Sequence, residues 1–180
     1  GLAQTGTGKT AAFALPIIQR LSKGNKGKLR ALIIAPTREL AEQINDSFIQ
    51  YGQLSGLKSI TVYGGVKPGK QISALKKGID IVVGCPGRLL DHIKNRVINL
   101  SHLETLVLDE ADHMFDMGFL PDIRKILNYA SSRKQTMLFS ATMPKDIQKL
   151  ANSVLNNPSQ IEIDHKAPLG TIEHVLFPVS

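Results

Sequence analysis

The stretch TLVLDEAD, residues 105–112, joins two patterns that decide the architecture. Its first half is apolar with no polar alternation, which is expected of a strand covered on both faces by helices rather than half-exposed. Its second half turns acidic at once. Asp109 and Glu110 therefore stand at the C-terminal end of a strand, the edge where ligands of parallel sheets bind.

Five further runs read the same way: ALIIAP (31–36), SITVYG (59–64), DIVVG (80–84), QTMLFSAT (135–142) and QIEI (160–163). Six strands are expected. Between them the apolar residues recur at helical spacing, which predicts helices over 8–21, 38–53, 70–77, 88–95, 121–129 and 145–154. Such alternation is the mark of an α/β fold. Right-handed crossovers then bring all the strand C-termini to one edge.

The 180 residues suit one domain with a sizeable core. Lysine and arginine outnumber aspartate and glutamate by 22 to 15, and this excess suits a polyanionic partner or simply solubility. The single cysteine, Cys85, excludes internal disulfides and any cysteine-clustered zinc site, and fits a reducing, cytoplasmic setting. No apolar run approaches the roughly 18 residues of a membrane span. The lysine and glycine of SKGNKGKLR (22–30) and GGVKPGKQ (64–71) read as solvated loops first and phosphate contacts second.

The second chemical signal is AQTGTGKT, residues 3–10. Gly6 and Gly8 let the backbone turn with its N–H groups inward, forming an anion site that a side chain would obstruct. Lys9 supplies a point charge for β and γ phosphates, Thr10 a hydroxyl for Mg²⁺, and the following helix its positive dipole end. Ala3 stands where the generic phosphate-loop pattern has glycine. The alternative is a plain glycine-rich turn before a helix.

Phosphate-ester hydrolysis needs a metal-holding carboxylate and a group to polarise water. Asp109 suits the first role and Glu110 the second. Solvated charges in a turn are the competing reading of Asp109, Glu110 and Asp112. A third strand, MLFSATMP (137–144), ends in Ser140 and Thr142. Their hydroxyls reach Asp112 if the two strands are neighbours; otherwise Thr142 caps a helix. The five histidines, His92, His102, His113, His165 and His174, show no metal-ligand spacing and read as surface or packing residues.

Taken in order, AQTGTGKT, PTREL, GG, PGR, DEAD and SAT resemble the first motor domain of a DEAD-box RNA helicase over essentially the whole chain. The resemblance implies a three-layer, RecA-like P-loop domain with a mainly parallel sheet, binding ATP and Mg²⁺ and gripping an RNA backbone. Ala3, Gln4, Thr5, Gly6, Thr7, Gly8, Lys9 and Thr10 become the nucleotide loop. Lys9, Asp109 and Glu110 become the catalytic group, with Thr10 and Asp109 on Mg²⁺. Asp112, Ser140 and Thr142 would couple hydrolysis to strand separation. Pro36, Thr37, Arg38, Gly64, Gly65, Pro86, Gly87 and Arg88 become an RNA-backbone track. Glycines admit phosphates to backbone N–H groups and arginines pair with them bidentately, though helix starts and turns would also explain these residues. Cys85 replaces the threonine usual before PGR and reads as packing.

The resemblance further implies a monomeric chain whose domain covers residues 1–165, with 166–180 a linker toward a second RecA-like domain. A glutamine-bearing adenine reader upstream and arginines from that second domain are not among these residues. The chain alone is therefore expected to hydrolyse ATP barely and to unwind no duplex. A binding module that clamps RNA or protein and keeps its phosphate loop structurally is the alternative; a DNA motor or another P-loop enzyme such as a kinase is more distant.

Overall fold

A computed structural model describes residue 1 and residues 8–162. Seven helices and five strands alternate through them: α1 (Lys9–Ser22), β1 (Ala31–Ile34), α2 (Arg38–Tyr51), β2 (Ser59–Val62), α3 (Gly69–Lys76), β3 (Ile81–Gly84), α4 (Pro86–Lys94), β4 (Thr105–Leu108), α5 (Ala111–Asp116), α6 (Leu120–Tyr129), β5 (Gln135–Leu138) and α7 (Lys145–Val154). The strands form one sheet in the order β2-β3-β1-β4-β5, every pair parallel. This is the expected RecA-like, three-layer arrangement.

The lack of polar alternation in the strands has its cause in two separate cores. Leu32, Ile34, Val82, Leu106 and Leu108 point to one face and join apolar side chains of α4 to α7. Ala31, Ile33, Ile81, Val83 and Val107 point to the other and meet α1 and α2. Each of these strand residues is at most 1% exposed, and fully burying one such Leu, Ile or Val contributes roughly 1.5–3 kcal/mol. A one-residue register slip would exchange the two sets between layers of different shape.

Local chemistry sets the helix starts at the strand C-terminal edge. Thr37 caps α2, its Oγ1 accepting from Leu40 N at 3.2 Å, and Pro86 opens α4 where its missing N–H is not needed. Left-handed Gly8 (φ 80°) opens α1.

The opposite edge carries an arrangement that the sequence reading did not single out. The residues preceding the five strands are, in sheet order, Lys58, Asp80, Arg30, Glu104 and Lys134, so charge alternates across the sheet. Backbone bonds continue the ladder through this row: Arg30 N donates to Asp80 O, Glu104 N to Arg30 O and Lys134 N to Glu104 O. Arg30 lies 3.6 Å from Asp80 and 3.8 Å from Glu104 and also donates to Leu21 O at 2.7 Å. Asp80 is fully buried and accepts from Gly27 N and Lys58 N.

Two expectations are corrected. The run QIEI does not form a sixth strand of the sheet: Glu162 makes an isolated bridge, residue 163 lies outside the described residues, and Ile161 is 67% exposed, with no layer to bury it. Residues 111–116, which none of the expected helices covers, form helix α5. Residue Gly1 instead lies along β5 as a parallel neighbour: its nitrogen donates to Leu138 O at 2.8 Å and its carbonyl accepts from Ser140 N at 3.2 Å. Residues 2–7, and so Ala3, Gln4, Thr5, Gly6 and Thr7, lie outside the described residues, as do residues 163–180 with the proposed linker.

Candidate nucleotide and backbone-binding edge

The described members of the sequence-predicted site all lie at the C-terminal edge of the sheet, in two groups. The first gathers where α1 begins and β4 and β5 end. Lys9 is the first residue of α1, and its Nζ lies 2.8 Å from Asp109 Oδ1, with the lysine side chain 8% and the aspartate 0% exposed. Asp109 follows directly on β4, its N–H bonded to Ile34 O and its Oδ1 accepting from Glu110 N at 3.0 Å. Its other oxygen, Oδ2, is buried without a partner. Burial pushes the Asp109 carboxyl above its ordinary range despite the Lys9 ammonium.

An unpartnered buried carboxylate oxygen is costly unless something cationic completes it. Asp109 Oδ2 together with the hydroxyl-bearing Thr10 offers hard oxygen donors, as Mg²⁺ requires. Among the described residues no three His, Cys, Asp or Glu side chains converge into a metal cage. An ion here would take its remaining ligands from water and phosphate, a habit of Mg²⁺. Gly8 has no Cβ to obstruct the start of α1, where its own side of the cap leaves N–H groups for an anion.

Glu110 adopts φ 51°, ψ 54°, a left-handed conformation rare for a non-glycine residue and costing of order 1–3 kcal/mol. Glu110 Oε2 then meets His113 Nδ1 at 3.3 Å, one helical turn on. Asp112 lies at the foot of the same helix. Its Oδ2 accepts from both the N–H and the hydroxyl of Thr142, each at 2.8 Å, while its own N–H donates to Ser140 Oγ at 3.1 Å. Burial raises the Asp112 carboxyl, but the bonds from Thr142 and Ser140 outweigh it and hold it below the ordinary value. β4 and β5 are neighbours, so these bonds tie two adjacent strand ends together.

The second group lines the ends of β1, β2 and β3. Arg38 lies 3.5 Å from Glu42 and its guanidinium stacks 4.9 Å from the centre of the Tyr63 ring. Tyr63 closes the set by donating to Glu42 at 2.6 Å, a bond that raises the phenol's pKa. The next two residues are Gly64 and Gly65, the latter at φ 78°, and a Cβ on either, or on Gly87, would meet no protein atom within 4 Å. Their backbone is open to a ligand. Arg88 donates to Val66 O at 3.0 Å and lies 3.4 Å from Gln71 Oε1. Pro36 is buried, and the Thr37 hydroxyl is engaged as the α2 cap.

Four residues of this edge were given no binding role in the sequence. Gln71 is buried and bonds Tyr63 O, His92 Nε2 and Arg88 at once, joining the glycine loop to α4. His92 is 4% exposed, and burial followed by the Arg88 charge lowers its pKa. Tyr63 and Glu42 hold Arg38. Of these only Tyr63, adjacent to Gly64, carried a positional hint. Cys85 caps no helix with its side chain and packs against the α1–α2 core, its thiol pushed up to about 11 by burial. A cleft of about 810 Å³ runs beside β5 and touches Gly8 and Lys9, but Asp109, Glu110, Arg38 and Arg88 lie outside its lining.

Comparison with known proteins finds residues 1–150 matching the DEAD/DEAH box helicase family. The chain is 47% identical over 166 residues to the DEAD-box ATP-dependent RNA helicase CshA of Bacillus subtilis strain 168, covering 92% of this chain and 33% of that protein. It is 51% identical over 161 residues to the DEAD-box ATP-dependent RNA helicase RhpA of Helicobacter pylori strain B128, covering 89% and 32%. The chain thus spans about a third of the length of the curated relatives it matches. Among solved structures, a DEAD box protein from the hyperthermophile Methanococcus jannaschii superposes with a TM-score of 0.83 at 45% identity, covering 88% of this chain and 43% of that one. The yeast DEAD-box splicing factor Prp28 superposes with a TM-score of 0.82 at 35% identity, covering 87% and 39%.

Proposed function

Since the chain belongs to the DEAD/DEAH box helicase family, we propose that it is the ATP-binding and RNA-backbone-binding half of an ATP-dependent RNA helicase, acting with a second RecA-like domain. The observation that carries this reading is the Lys9–Asp109 pair with its unpartnered Oδ2 at the start of α1. A purely structural turn has no use for a buried carboxylate left half satisfied.

The first-turn N–H groups of α1 receive the phosphates, and Lys9 turns from Asp109 to the β and γ oxygens. Asp109 and Thr10 would hold Mg²⁺, which would supply neutralising charge to the transferred phosphoryl group. Glu110, on the left-handed turn that opens α5, polarises the attacking water. Asp112 relays the state of this site to β5 through Ser140 and Thr142. Arg38 and Arg88 pair with RNA phosphates beside the open amides of Gly64, Gly65 and Gly87. Such contacts carry little base specificity.

By itself the 180-residue chain binds nucleotide through its phosphates and turns it over slowly, because arginines of the second domain complete the site; one such arginine can be worth 10³-fold or more in rate. The test is titration with a fluorescent ATP analogue and Mg²⁺, followed by RNA-stimulated hydrolysis in the chain joined to its flanks. Glu110→Gln should bind nucleotide normally and lose turnover. Turnover unaffected by Glu110→Gln would sink the enzyme reading in favour of a clamp.

A further inference from the structure

The lysine-rich loop SKGNKGKLR is left without a task by the site above, because it lies at the other end of the sheet. Together with its neighbours it gathers six lysines at this edge. Lys23, Lys26 and Lys28 come from the α1–β1 loop, Lys58 from the α2–β2 loop, and Lys76 and Lys77 from the end of α3; all six are exposed. With Arg30 and Asp80 cancelling as a buried pair, these three loops hold six of the chain's seven net positive charges. Asp80 is their only carboxylate, and it is fully buried.

The loops are fastened to one another rather than waving separately. Asp80 Oδ1 holds Gly27 N at 2.8 Å and Oδ2 holds Lys58 N at 3.0 Å, so a single buried carboxylate ties all three. Lys26 Nζ donates across to Ser55 O at 2.6 Å. Gly78 packs so closely on Gly27 that a Cβ would stand 2.9 Å from its carbonyl oxygen. Each loop turns on a left-handed glycine: Gly27 at φ 80°, Gly56 at φ 66° and Gly78 at φ 82°. Conventional lysine-rich surfaces lose loop entropy on binding; here the backbone that carries the lysines is already fixed.

We infer that these three loops form a second nucleic-acid surface, which takes the phosphate backbone of a duplex. Lysine ammoniums are point charges suited to phosphate, and no ring is present in residues 22–30, 52–58 or 76–80 to stack an unpaired base. A strand of four residues separates this edge from Arg38 and Arg88 by about 13 Å, beyond a Debye length at physiological salt. The two surfaces therefore bind independently, and the inference holds whether or not the opposite edge grips RNA.

The experiment measures binding of a fluorescent RNA duplex of about 20 base pairs to the 180-residue chain across a salt series, for the wild type and the triple variant Lys28→Gln, Lys58→Gln, Lys77→Gln. Each phosphate contact lowers the slope of log K against log salt by about 0.7–0.9, so the variant should lose about 2–3 from the slope and at least tenfold in affinity at 0.1 M salt. Its melting temperature should not move, since the three side chains are exposed. Arg88→Ala should add its own loss without altering that of the triple variant. Unchanged duplex affinity and slope overturn the inference. So does a variant that keeps duplex binding but no longer adsorbs to phosphatidylserine vesicles, because the partner would then be a membrane surface.

Discussion

Replacing Lys9 by methionine should destabilise the empty protein at neutral pH, whereas replacing Asp109 by asparagine should cost little. The asymmetry follows from burial. Asp109 is 0% exposed and, without Lys9, retains only the Glu110 N–H at 3.0 Å as partner. Orphaning one member of a buried pair typically costs 3–5 kcal/mol, and the retained N–H bond and the option of protonation place this case at about 3 kcal/mol. Lys9 begins α1 on a four-carbon stem that can carry its ammonium to water, so Asp109→Asn should cost under about 1 kcal/mol. For a domain of this size about 3 kcal/mol lowers Tm by roughly 6–12 °C. The sign of the pH dependence is fixed. The Asp109 carboxyl is already raised by burial and rises further without Lys9. The deficit of Lys9→Met is therefore complete above that higher folded pKa and shrinks as pH falls through it, because the protonated acid needs no partner. Thermal melts at pH 8 and pH 5, with no nucleotide or Mg²⁺, measure it, and adding Asp109→Asn to Lys9→Met should recover most of the loss. A Lys9→Met melt within 2 °C of wild type, or a larger deficit at pH 5 than at pH 8, would refute the reasoning.

Cys85→Thr should raise Tm by about 2 °C, since a hydroxyl at the unfilled N-cap of α4 adds about 0.5–1 kcal/mol. With its thiol raised from 9.0 to about 11, Cys85 should also alkylate roughly a hundredfold more slowly than an ordinary cysteine at pH 8. Thr142→Val should cost about 0.5–1 kcal/mol at pH 7, a figure reduced by solvent screening. Because Asp112 is held below its ordinary value, its contribution is present above the unfolded carboxylate range and lost as pH falls through the folded one. Urea titrations at pH 7 and pH 3 should show the Thr142→Val deficit fading in acid; an equal deficit at both would break the link to Asp112.

The sheet was legible because burial on both faces writes an apolar run in the central strands β1, β3 and β4, while the partly buried edge strands β2 and β5 carry a shorter apolar signal mixed with Ser, Thr and Gln. QIEI has the same letters but no covering layer, and letters alone do not report a layer. Helix α5 escaped because six residues are too few for a 3.6-residue period to declare itself, and because the left-handed Glu110 that starts it has no residue-type signature. Gly64, Asp109 and Ser140 were readable since each sits at the end of a strand-like run, where topology alone sends it to the binding edge, and Lys9 was readable from the glycines before it. Gln71 and His92 were not: both lie inside amphipathic helices, where a buried amide or imidazole looks like any polar face until its partner across the chain is known. Arg30, Asp80 and Glu104 each flank a strand, yet their meaning lies in the order of strands that sequence does not state.

That order gives the charge row a bearing on how the chain assembles. The three central strands, β1, β3 and β4, are equal in length and buried throughout, so they are nearly interchangeable as far as burial is concerned and a collapsing chain can stack them wrongly at little hydrophobic cost. In the native order the row reads plus, minus, plus, minus, plus from Lys58 to Lys134. Exchanging β3 with β1 would set Lys58 beside Arg30 and Asp80 beside Glu104, two like-charged contacts, one of them between acids, at the rim of a forming sheet. The row thus acts as a proofreading code for strand addresses, raising the energy of misassembled sheets that the cores alone would tolerate.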